Sequence, residues 1–338
     1  MNKRIKTILQ FVIFLLLGIG IVWWIFHRMN EEQLAQCKNA LLNANPYLIA
    51  LAFCCGLLAH FIRALRWKLL MEPLGYHPKT ANTYAAVLIG YLANLAFPKL
   101  GEVTRCGVLT KYEEIPFEKN FGTVIAERIF DTLCWLVLLV LSILIEFDRL
   151  YVYFKTEILD AMIAKWQNSS NLKWLLIVAF IIACLVGFIF IKKILSRNEK
   201  IKSFIEGLTS GLKAILNLKK KSTFFLYTIL IWGCYVFTQY LGLLCVHETS
   251  HLSFWAALTC VSFATFGFVL PTQGGLGAYH AIIPQVLKLY NISEGIGLAS
   301  AWVNWGVQQI AVVVGGFISL IFLPIFNKNK SNEHVRQN

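Results

Sequence analysis

Four groups of residues in this chain have the types and spacing for chemistry. The first is Asn94, Pro98, Gly101, Glu102 and Arg105. Proline has no amide hydrogen and its ring clashes with the preceding turn, so Pro98 ends the helix before it. A helix restarting beyond it turns free N–H groups and a positive dipole end toward the break, which suits a phosphate. Arg105 follows Glu102 by three residues and shares its helix face. Its guanidinium can grip a phosphodiester with paired donors, or the two side chains can simply neutralise each other. The second group is Glu127-Arg128-x-x-Asp131. The two acids stand four apart on one face, and Arg128 reaches Asp131 at three. Ionisable groups in a membrane helix are expensive and mark function; acids near a helix start are also favoured by the dipole. The third is Pro271-Thr-Gln-Gly-Gly-Leu-Gly277. Gly274, Gly275 and Gly277 let backbone approach a headgroup closely. The Lys-Ser/Thr of a P-loop and the spacing of a dinucleotide fingerprint are both missing.

The fourth group, His247-Glu248-x-x-His251, matches H-E-x-x-H. On a helix that pattern offers two imidazoles to zinc, with the glutamate as base. A third ligand is then required. No Asp follows Asp160, the acids beyond His251 are Glu294 and Glu333, and His280 remains a possible ligand. The motif falls where an apolar run ends beside a turn, a setting in which His and Glu are at home. No metal and no cofactor are expected.

The elements that must position these residues are membrane helices. The 338 residues are 57 % hydrophobic and 14 % charged, against roughly a quarter charged in a soluble chain. Six continuous apolar runs, 5–26, 46–67, 129–147, 172–191, 223–246 and 297–323, approach the roughly 20 residues a helix needs to span. Without water to satisfy the backbone, only helices or a closed barrel span, and continuous runs favour helices. Two further runs break early: 81–97 stops at Pro98, and 254–270 stops at Pro271, with a short stretch 278–290 beyond it. Thirty-one Lys and Arg against 18 Asp and Glu give +13. They cluster between apolar runs, as the positive-inside bias and anionic inner-leaflet lipids demand. No nucleic-acid motif is present, so no nucleic acid is expected. The cysteines sit mostly inside apolar runs, without a CxxC pair, as small buried hydrophobes.

Charge then sets the topology. The segment 192–222, with Lys219-Lys220-Lys221, is rich enough in cations to be cytoplasmic, as are both termini and the stretch 63–79. Counting crossings, 81–128 begins and ends inside and 247–296 begins and ends outside. Each fits a re-entrant hairpin, although two crossings through 254–290 satisfy parity equally. The expected fold is all-α: a single transmembrane domain over 1–338, with about six spanning helices plus two re-entrant broken hairpins. The halves 46–147 and 223–323 read as an inverted repeat with a midplane site. Residues 201–216 read as an amphipathic interfacial helix. Cys106 should be shielded from outside reagents, and Cys37 should be reachable unless its loop folds away.

Asn94-x-x-Phe97-Pro98-x-x-Gly101-Glu102-x-x-Arg105, Glu127-Arg128-x-x-Asp131 and Leu270-Pro271-x-x-Gly274-Gly275-Leu276-Gly277, in that order, resemble the transmembrane region of lysyl-phosphatidylglycerol synthases and their stand-alone flippase-like relatives. The resemblance runs from about 10 to 325. It implies a lipid-translocating module in the cytoplasmic membrane, without the aminoacyl-transferase domain that follows it in the bifunctional members. The implied substrate is a phospholipid or polyprenyl-linked lipid, with phosphate held at Arg105 and Pro98. Glu102, Glu127 and Asp131 would meet a cationic headgroup group or the arginines. The rival readings are a membrane enzyme of lipid headgroup modification and an accessory subunit of a separate lipid-modifying synthase.

Overall fold

The computed structural model describes residues 3–156, 218–269 and 272–328. The predicted span 172–191, the interfacial helix 201–216 and Pro271 lie outside the described residues. Among the described residues there are eleven α-helices and no strand. They are α1 (Lys3–Arg28), α2 (Glu31–Leu42), α3 (Pro46–Met71), α4 (Thr80–Ala96), α5 (Leu100–Glu113), α6 (Phe117–Ile145) and α7 (Phe147–Tyr153). After the undescribed stretch come α8 (Lys221–Cys245), α9 (Phe254–Val269), α10 (Ala278–Lys288) and α11 (Glu294–Phe326).

Five helices are long and apolar enough to cross a bilayer: Phe11–Arg28, Pro46–Leu74, Phe117–Ile145, Lys221–Cys245 and Glu294–Phe326. Their outward faces carry bare large hydrophobes, among them Trp23, Leu144 and Ile325 at 64, 65 and 69 % exposure. Charges such as Arg66 and Glu127 are fully enclosed. A surface of that composition needs hydrocarbon around it. The protein is a polytopic all-α membrane protein.

Local chemistry sets the helix ends. Asn30 caps α2 in a capping box with Gln33. Asn45 accepts from the amides of Tyr47 and Leu48, and Pro46 supplies the first helical position of α3. Phe97 is extended, as a residue before proline must be. Lys99 turns the corner with φ 67° before α5 starts. In the second corner Gly274, Gly275 and Gly277 all have positive φ, a region open to glycine without a Cβ penalty. Helix α6 begins at Phe117, twelve residues before the apolar run at 129. Glu118, Lys119, Glu127, Arg128 and Asp131 depress the hydropathy of its first turns, yet three of those five charges are paired within the helix bundle.

Helices α3 and α8 form the most extensive pair. Helix α4 lies against α5 and α11, while α9 lies against α8, α10 and α6. The two corners meet: Gly274 stands beside Leu95 and Gln309, and Trp305 donates to the Gly274 carbonyl at 2.7 Å. Helix α1 closes the second corner from outside, with Gly277 against Gly18 and Ile21. One end of the bundle is tied by Asn82 and Asn327, whose side-chain amides exchange hydrogen bonds of 3.0 and 2.9 Å. The other is tied by Asn45, whose amide donates to the Cys245 carbonyl, and by Ser293, which donates to Gln36.

Candidate functional site

The corners and α3, α6 and α8 enclose a cavity of about 790 Å³. Its first wall is the α4–α5 corner. Asn94 reaches across the break and accepts the Gly101 amide at 2.7 Å, while the Leu100 amide bonds to the Phe97 carbonyl. Two of the amides that open α5 are therefore occupied by the protein itself. Glycine at 101 lets α5 lie against Gly90 and Asn94; a Cβ there would strike both. Pro98, Lys99 and Glu102 face the cavity from this corner, and Gly274 and Gly275 face it from the other.

Beside this wall lies a buried knot of charge. Glu127 of α6 is wholly enclosed. It accepts from Arg63 at 2.5 Å and Arg66 at 3.0 Å, both on α3, and from Arg105 of α5 at 2.9 Å. Asp131, one turn on, pairs with Arg63 and Arg66 at 2.7 Å each. Arg63 also donates to the Tyr235 hydroxyl of α8, Arg66 to Thr228, and Arg105 stacks over the Trp67 ring at 4.5 Å. Stripping water from such groups is costly. The knot is tolerated because each carboxylate meets several guanidinium donors, and removing one member leaves a stranded charge. Arg128 points the other way, into the cavity, and lies 3.3 Å from Glu102.

The structure thus sorts the residues singled out by sequence. Asn94, Pro98, Glu102, Arg128, Asp131, Gly274 and Gly275 line the cavity. Gly101, Arg105 and Glu127 stand behind its wall, and Gly277 packs on α1. The pairing differs from helix-face spacing: Arg105 passes over Glu102 for Glu127, and Arg128 passes over Asp131 for Glu102. Partners on neighbouring helices bring carboxylates within reach of donors at better geometry than the i+3 neighbour. His247 and Glu248 lie in a short 3-10 turn, His247–Thr249, with His251 beyond it, so the two imidazoles do not share a helix face. Among the described residues no group of three His, Cys, Asp or Glu could hold a metal.

Arg63 and Arg66 escaped the sequence reading. They end an apolar run and so look like interfacial anchors. Their spacing of three, on one face of a helix meant to be apolar, was the available signal. Tyr235 and Gln239, which line the cavity from α8, had no such signal.

Comparison with known proteins places this architecture. Residues 8–316 match the family described as lysylphosphatidylglycerol synthase TM region. The chain is 27 % identical over 304 residues to a UPF0104 membrane protein of Methanocaldococcus jannaschii, covering 84 % of this chain and 87 % of that one. A UPF0104 membrane protein of Methanothermobacter thermautotrophicus is 23 % identical over 306 residues, 82 % of this chain and 87 % of that one. The glycosyltransferase AglD of Haloferax volcanii is 23 % identical over 319 residues; 85 % of this chain is covered but only 50 % of that protein. No solved structure matches the chain. With nearly its whole length in register with that family, the chain belongs to the lysylphosphatidylglycerol synthase TM region family.

Proposed function

We propose that the protein moves a phospholipid or polyprenyl-linked lipid across the cytoplasmic membrane. The observation that carries the reading is the cavity itself. It measures about 790 Å³, sets charged side chains such as Lys99, Glu102, Arg128 and Asp131 in a largely apolar lining, and is bounded by two broken hairpins whose corners touch. A headgroup fits within it while acyl or prenyl tails remain against the apolar outer faces.

Several features support this. Each half runs as a long helix, a broken hairpin and a long helix: α3, α4–α5, α6 and then α8, α9–α10, α11. The packing is reciprocal, since α4 lies on the closing helix α11 and α9 on the closing helix α6. An inverted repeat with two re-entrant hairpins over 46–147 and 223–323 accounts for both, and paired interrupted helices are where transporters of this kind hold their substrate. Both termini would then face the cytoplasm, where basic segments meet anionic inner-leaflet lipids. A relative of twice the matched length, named a glycosyltransferase, favours lipid-linked sugars among the substrates. It also favours a separately encoded lipid-modifying synthase as a partner. The test is purified protein in liposomes carrying a panel of labelled lipids, including a polyprenyl phosphate. Movement of a labelled lipid that protein-free liposomes lack is expected; none across the panel, with folded protein, overturns the reading.

A further inference from the structure

The charges around the cavity do not balance. Arg63, Arg66, Lys99, Arg105 and Arg128 stand on it or directly behind it, against Glu102, Glu127 and Asp131. Three of the cations are ion-paired at 3.0 Å or less: Arg63 and Arg66 each bridge Glu127 and Asp131, and Arg105 holds the second oxygen of Glu127, with Arg66 Nε and Arg105 Nε and Nη1 left without an acceptor inside the knot. The other two are not. Lys99 lines the cavity, is exposed, and makes no ion pair or hydrogen bond to any described residue. It does so with φ 67°, a conformation that costs a residue with a Cβ and persists where the surroundings impose it. Arg128 meets Glu102 only at 3.3 Å, and its Nε is buried without a hydrogen-bond acceptor.

The cavity also holds unpaired polar groups away from the charges. Thr238, Gln239 and Thr272 line it at 4, 2 and 4 % exposure. The hydroxyls of both threonines and the Gln239 amide nitrogen have no partner among the described residues. Buried polar atoms are rarely left so, and three on one cavity call for a ligand or water that exchanges hydrogen bonds with them. An ammonium group, by contrast, finds few acceptors. The other acceptors on the cavity without a hydrogen bond are Glu102 Oε2, whose side chain faces Arg128, Asp131 Oδ1, which Arg66 approaches at 2.7 Å, and His60 Nδ1, so each carboxylate oxygen already has an arginine beside it.

We infer that the cavity takes an anionic, hydroxyl-bearing phosphate ester, its phosphate between Lys99 and Arg128 and its hydroxyls against Thr238, Gln239 and Thr272. A headgroup with net positive charge is disfavoured. This rests on the reading of the cavity as a headgroup site.

The test is binding to the purified full chain in detergent, read by the fluorescence of Trp135 and Trp232, both on the cavity wall. The probes are short-chain phosphatidylglycerol, phosphatidylcholine, lysine-esterified phosphatidylglycerol and soluble glycerol phosphate. Phosphatidylglycerol is expected to bind about tenfold or more tighter than the zwitterionic and cationic lipids. Lys99→Gln, which breaks no ion pair or hydrogen bond to a described residue, should weaken it by a similar factor, and Lys99→Arg should restore it. Equal affinity for the three lipids, preference for the cationic one, or an unchanged Lys99→Gln variant overturns the inference. Glycerol phosphate binding as tightly as the lipid upholds the anion site and overturns the lipid reading. Lipid movement without the charge preference overturns this inference alone; the preference without lipid movement overturns transport alone.

Discussion

Asn94 Oδ1 accepts the Gly101 amide at 2.7 Å, so one side chain of α4 stitches the start of α5 across the break at Phe97, Pro98 and Lys99. The corner depends on that bond and on the missing Cβ at 101. Gly101→Ala would drive a methyl group into the Gly90 carbonyl and Asn94. It is expected to lower stability by about 1–3 kcal/mol through forced separation of the two helices. Asn94→Leu strands the amide and should cost about 1–3 kcal/mol. Thermal unfolding followed by gel filtration in detergent checks both; unshifted midpoints would remove the corner's dependence on this contact.

The knot around Glu127 makes a sharper demand. Glu127→Gln preserves shape but leaves Arg105 without its carboxylate and Arg63 and Arg66 with Asp131 alone, and a buried charge stripped of its partner costs about 3–5 kcal/mol. Glu102→Gln touches a pair whose side chains are 21 and 36 % exposed. Exposed pairs are worth about 1 kcal/mol or less. The ranking is the prediction: a Glu127→Gln variant as stable as Glu102→Gln would mean the knot contributes nothing to holding α3, α5 and α6 together.

Most of the architecture was legible because hydrophobic continuity and proline punctuation are local signals. The runs 46–67, 81–97 and 254–270 reappear as α3, α4 and α9 within a few residues. Pro98 ended a helix as its ring requires. The site was legible only in part. Glu127 and Asp131 stand out because acids in an apolar helix are conspicuous. Arg63 and Arg66 do not, because arginines at the end of a span are ordinary, and their partners are more than 60 residues away in sequence. The depth of α6 was hidden for the same reason: hydropathy counts each charge as exposed, whereas ion pairing across helices lets it be buried.

Cys37 tests the far end of the bundle. It lies on α2, between spans, where the sequence allows either an open loop or a folded one. The structure folds it: Cys37 is 3 % exposed, and burial pushes its pKa from 9.0 up to about 11. A polar maleimide at about pH 7.5 should therefore leave Cys37 unmodified until detergent denaturation exposes it, because the thiolate is the nucleophile. The folded thiol holds its proton more tightly than the unfolded one. Its contribution to stability is present below pH 9.0 and is lost as pH rises through about 11. Mass spectrometry of the labelled peptide reads the first effect; rapid native labelling near neutral pH would place α2 away from α11.

The contact between the two corners carries the transport proposal most directly. Gly274 sits against Leu95, so the breaks in the two hairpins face each other. If a headgroup passes between them, that contact must open. Leu95→Cys paired with Gly274→Cys, in a background cleared of native thiols, should be joined by a short bifunctional maleimide. The cysteine at 274 must adopt φ near 57°, which costs roughly 1–2 kcal/mol, so each single variant serves as a folding control. Joining the corners should bring lipid movement in liposomes down to the protein-free rate, whereas each single variant treated with the same reagent should retain it. The equivalent disulfide, formed by oxidation, should block movement and release it on reduction. Undiminished movement through a fully cross-linked protein would mean that lipid crosses by another face, with the cavity serving only to bind.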